Sequence, residues 1–175
     1  SYVSYWHWFE EISGGAAGFT AVASLDNDQL STGGFFGVAA ELMRRYGVMD
    51  EGKFIPEEAE AARSARQSKA LSAINTSLKS GVLSDKAKRK DLTVVRAEMD
   101  KAWALSADVI ALMDSVFGKD VSKNLEKGST VPAASGLHKP KDIEIGLASS
   151  TVLTLADAIG KPKSSYDART RTGTY

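Results

Sequence analysis

The residues able to do chemistry in this chain are few and scattered. His7 and His138 are its two histidines and cysteine is absent, which removes thiolate nucleophiles, thiolate zinc sites and iron–sulfur clusters together. A serine nucleophile needs an imidazole base, and neither histidine stands in an elbow or triad context. His138 falls within Gly136-Leu137-His138-Lys139-Pro140, the composition of a solvent-facing loop. Glu10 and Glu11, Glu57 and Glu58, and Glu98 and Asp100 are one or two positions apart, and such neighbours do not face one another on a helix.

The ligand-binding motifs fail on inspection. Asp26-Asn27-Asp28 starts like a calcium loop, but Leu30, Ser31 and Gly37 occupy the positions of the third oxygen ligand, the turning glycine and the closing glutamate. Gly14-Gly15-Ala16-Ala17-Gly18 lacks the glycine two before Gly15, where Ser13 stands, and no buried strand precedes it. The reading is therefore of a protein that is not an enzyme, with no cofactor and no metal.

Binding chemistry is better represented. Tyr2, Tyr5, Trp6, Trp8 and Phe9 place five of the fourteen aromatics in the first nine residues, around His7. On a helix Tyr2, Tyr5, Phe9 and Ile12 share a stripe and Trp6 and Trp8 fall on other sides, more than a single core-facing stripe absorbs. Trp and Tyr are favoured anchors at interfaces, so Ser1 to Ile12 reads as a docking segment, hinged at Gly14-Gly15, with packing across the fold as the competing reading. Lys86, Lys88, Arg89 and Lys90 form the one basic cluster. Placed at a helix start they oppose the helix dipole, which marks them as a solvated face or a contact for an acidic protein or anionic headgroup. No aromatic is interleaved with them and the 22 basic and 22 acidic residues cancel, which argues against nucleic acid.

Helical periodicity supplies the elements that must carry these groups. Leu92, Val95, Met99, Ala102, Ser106, Val109, Met113 and Val116 recur at spacings of three and four and predict a helix from Ser84 to Phe117, with Trp103 in its apolar face. Unbroken, it would run about 51 Å, longer than the roughly 40 Å width of a compact chain of this size, so either it breaks near Lys90 or the domain is elongated. A helix from Pro56 to Gly81 should expose an Ala-rich face at Ala59, Ala61, Ala62 and Ala65 to a close neighbour. A third fits Thr32 or Gly33 to Tyr46, with Phe36, Ala39, Ala40, Met43 and Tyr46 inward. A fourth fits Asp142 to Ile159, with Ala148, Val152, Leu155 and Ile159 inward. Phe19 to Leu25 reads as helical or irregular, and Gly128 to Lys141 and Lys161 to Tyr175 as linkers.

The expected fold is all-α: an up-and-down bundle of about four main helices over residues 32–160, with an aromatic and Gly-rich N-terminal lead over 1–31 and an extended C-terminal tail over 161–175. The expected function is that of a non-catalytic helical accessory subunit whose partners are other protein subunits of a larger assembly, with possible proximity to a membrane surface, as in a photosynthetic or respiratory complex. The alternative is a small-molecule, lipid or pigment carrier in which Trp6, Trp8, Trp103 and His7 line a cavity between helices. No run is long and apolar enough to span a bilayer. A start at Ser1 rather than Met suggests processing, with a slight preference for an organelle lumen, a periplasm or the periphery of a membrane complex.

Overall fold

The computed structural model describes residues 1–14, 25–59, 65–145, 153–160, 166–167 and 172–173. These are mostly helical: α1 (Tyr2–Ser13), α2 (Phe36–Tyr46), α3 (Ala65–Ser80), α4 (Leu92–Ala102), α5 (Ala107–Phe117) and the short α6 (Leu155–Gly160). Single 3-10 turns occupy Pro56–Ala59, Val82–Ser84, Lys88–Lys90 and Pro140–Asp142. Three two-residue antiparallel ladders complete the description. β1 (Val48–Met49) pairs with β2 (Leu137–His138), β3 (Glu144–Ile145) with β4 (Leu153–Thr154), and β5 (Tyr166–Asp167) with β6 (Thr172–Gly173).

The N-terminal segment is not a lead but the centre of the fold. α1 packs against α2, α4, β1 and the Lys88–Lys90 turn, and Tyr2, Tyr5, Trp6, Trp8, Phe9, Glu10, Ile12 and Ser13 are buried. A helix surrounded by neighbours can be apolar on several sides, which resolves the excess of rings over a single stripe. Trp6 stacks on Tyr46 at 3.9 Å and meets Phe117 edge-on at 4.9 Å, while Trp8 lies 5.1 Å from Trp103 and Tyr5 lies 5.6 Å from Phe54. Gly14 ends the helix in the left-handed region at φ 56°, donating its N–H to the Glu10 carbonyl.

The expected long helix is two helices preceded by turns. Asp91 caps α4 by accepting from the Thr93 and Val94 amides, so Ser84 to Lys90 lies outside it. A second break follows Ala102: Ala104 turns left-handed at φ 47°, Arg66 donates to the freed carbonyls of Trp103 and Ala104, and Ser106 caps α5 through the Val109 amide. Two segments of 11 residues, each about 16 Å long, fit a compact core where one helix would not. Trp103 is buried, as its position predicts.

The other helices also depart from expectation. Pro56 starts a 3-10 turn, and α3 begins at Ala65 and buries Ala70, Ile74 and Leu78. Ala59 and Ala65 are exposed, so the close-approach face is not used there; Ala61 and Ala62 lie outside the described residues. α2 buries Val38, Ala40, Leu42, Arg45 and Tyr46, rotated from the expected face, and leaves Phe36 out. In place of a helix from Asp142, the chain makes a 3-10 turn, the β3–β4 ladder and α6, which buries Ile159; Ala148 and Val152 fall outside the described residues. Leu137, expected in a linker, is buried and laddered to Met49. Of Phe19 to Leu25, only Leu25 is described. The described residues do not show a four-helix up-and-down bundle.

Candidate functional site

Burial decides the fate of the proposed docking residues. Tyr2, Tyr5, Trp6, Trp8 and Phe9 are core side chains, so in this fold none of them is available to a partner. The interior they build contains two polar networks. Arg45 on α2 donates to both carboxylate oxygens of Glu10 on α1, at 2.8 and 2.6 Å, and to Glu41 at 3.1 Å. The Tyr46 hydroxyl donates to the same Glu10 at 2.9 Å. One guanidinium nitrogen shared by both carboxylate oxygens, joined by a tyrosine hydroxyl, supplies the charged and neutral donors that make a buried carboxylate tolerable. On the opposite side Arg96 reaches Asp114 at 3.2 Å and Asp100 at 3.7 Å, with its guanidinium 5.6 Å from the Trp6 ring. Tyr5 donates to Asp100 at 2.5 Å. Burial pushes the Asp100 carboxyl up against the opposing pull of Arg96. Both networks tie helices together through ion pairs, α1 to α2 and α4 to α5, with Arg96 Nε left without a hydrogen-bond partner, and have the character of supports.

The basic cluster divides in two. Arg89 is buried, donating through Nε to the Leu83 carbonyl at 2.6 Å and pairing with Asp28, while Lys90 donates to the Ser13 carbonyl at 2.9 Å and so closes the C-terminal end of α1. Lys90 is itself exposed, as are Lys86 and Lys88. The expected solvated contact patch is corrected accordingly: two of its four residues are structural. Asp28, whose carboxyl the Arg89 hydrogen bond holds below the usual range, is a partner in that structure. Replacing Arg89 by Gln is expected to cost about 1–3 kcal/mol, from the charged hydrogen bond lost and the acceptor left buried, and Lys86→Gln to leave the thermal midpoint unchanged. Equal midpoints for the two variants would show that the burial of Arg89 carries no stability.

The carrier reading needs Trp6, Trp8 and Trp103 to line a space, and they fill one instead, each against another ring. His138 pairs with Asp50 at 2.8 Å, both exposed. Among the described residues no group of three or more His, Asp or Glu side chains is placed to hold a metal ion.

What remains open is a face that the sequence did not single out. Phe35, the N-cap of α2, and Phe36, its first residue, are 46% and 49% exposed. They stand at the mouth of a groove of about 280 Å³ whose walls include Val3 and His7 of α1, Gly34, and Leu42 of α2. This groove runs along the half-buried side of α1 that carries Val3, Ser4 and His7. The signal was present: Phe35 and Phe36 are adjacent, and adjacent residues cannot share one inward stripe. A shallow apolar groove rimmed by two half-exposed rings can accept an apolar side chain from outside and has no acid, base and nucleophile assembled in it. Compared with known protein families, curated proteins and solved structures, the chain matches none.

Proposed function

We propose that this chain is a non-catalytic helical module that docks onto another polypeptide, as a subunit of a larger assembly, and that it docks through the Phe35–Phe36 groove and not through the N-terminal aromatics. The reading is carried by one observation: two adjacent large aromatics are each about half exposed in a chain that buries its tryptophans and the rings of α1. Aromatic side chains flanking an apolar pocket within a polar rim are the usual anchors of protein interfaces. A larger hollow, about 670 Å³ and bordered by Asp50, Glu51 and Glu58, is more polar and holds no comparable anchor. Among the described residues no helix is long and apolar enough to cross a membrane, and the reading needs none.

A photo-crosslinking residue placed at position 36 in the native cells tests it. One discrete protein adduct is expected from position 36 and none from position 76, an exposed site on α3, while Phe36→Ser unfolds at the wild-type temperature and loses the adduct of a crosslinker placed at position 39. Absence of a protein adduct, or the same adducts from positions 36 and 76, would overturn the proposal.

A further inference from the structure

His7 and Glu11 are one turn apart on α1, with Nε2 and Oε2 at 3.9 Å and side chains 14% and 10% exposed. That separation is too long for a direct hydrogen bond. Glu11 Oε2 is buried with no hydrogen-bond partner, an unmet cost for a carboxylate. His7 Nε2 and Glu11 Oε2 face each other across this gap, and a cation placed between them would engage both.

We propose that His7 and Glu11 form a two-ligand site for a divalent transition cation of the zinc class. An imidazole nitrogen and a carboxylate oxygen suit such an ion. In a tetrahedral site with bonds near 2.1 Å the two ligand atoms stand about 3.4 Å apart, so a small rotation of the Glu11 side chain closes the observed gap. Helical i, i+4 spacing keeps both donors on one side of α1. His7 lines the groove, so the remaining positions of the ion are open to water or to a group entering from that side. The His138–Asp50 pair competes poorly: its members are 40% and 53% exposed and already bonded to each other at 2.8 Å.

The test is a calorimetric titration of Zn²⁺ into the purified chain near pH 7.5, repeated on His7→Gln, Glu11→Gln and His138→Gln. One equivalent should bind, with affinity about tenfold or more weaker in each of the first two variants and unchanged in the third. Should a variant fail to fold, trace Cu²⁺ added to the wild-type chain, read by proton NMR, keeps the question open to an answer: the His7 ring signals should broaden before those of His138. No saturable binding, binding that survives both α1 variants, or broadening of His138 first would overturn the site. None of these outcomes bears on the crosslinking at position 36.

Discussion

Removal of residues 1–13 is expected to abolish cooperative folding of the remainder. The deletion takes out Tyr5, Trp6, Trp8 and Phe9, all fully buried, together with Glu10, the partner of Arg45. Truncating one buried aromatic costs about 3–5 kcal/mol, so four cost about 12–20 kcal/mol, enough to consume the roughly 5–15 kcal/mol that a whole domain holds. Arg45 and Tyr46 would also be left facing an empty channel. The truncated chain should show no sigmoidal thermal transition by circular dichroism and should partition into the insoluble fraction. A soluble truncated chain that melts cooperatively near the temperature of the intact one would restore the reading of Ser1 to Ile12 as a detachable docking segment.

The second large effect is expected from Arg45→Met. Methionine matches the packing of the arginine stem but leaves the Glu10 carboxylate with Tyr46 as its remaining named donor in a site where its side chain is 3% exposed. Breaking a buried pair by removing one member costs about 3–5 kcal/mol. For a chain of this size that corresponds to a fall of roughly 6–20 °C in thermal midpoint. The double variant Arg45→Met with Glu10→Leu should recover part of that loss, because no uncompensated charge remains. If the double variant is less stable than Arg45→Met by the full cost of a second core substitution, the penalty was one of packing and not of the stranded carboxylate.

The periodic parts of this fold were legible and its junctions were not. Leu92, Val95 and Met99, and then Val109, Met113 and Val116, read as one apolar face because α4 and α5 each keep helical phase. The break between them rests on Ala104 in a left-handed turn without glycine and on Arg66 from another helix, neither of which periodicity records. Local capping did leave a trace, since Asp91 and Ser106 are both N-cap types. α1 was misjudged because counting rings against one stripe assumes a helix with one dry side. The partners of Arg89 and Lys90 lie at Asp28 and Ser13, too far along the chain for a charge run to reveal that both are engaged and that Arg89 is buried. The Phe35–Phe36 face was missed for the converse reason, since assigning Phe36 to the inward stripe of α2 placed it on the wrong side of the true one, which follows Val38, Leu42 and Arg45.

The central claim is that the aromatics of α1 are the core and that the surface left for a partner is the pair at the start of α2. Hydroxyl-radical footprinting of the intact chain, read residue by residue by mass spectrometry, tests it in a single experiment. Phe36 should be oxidised rapidly while Trp6, Trp8 and Trp103, intrinsically more reactive rings, stay protected until the chain is unfolded. Early oxidation of Trp6 or Trp8 in the native chain, with Phe36 protected, would contradict the account.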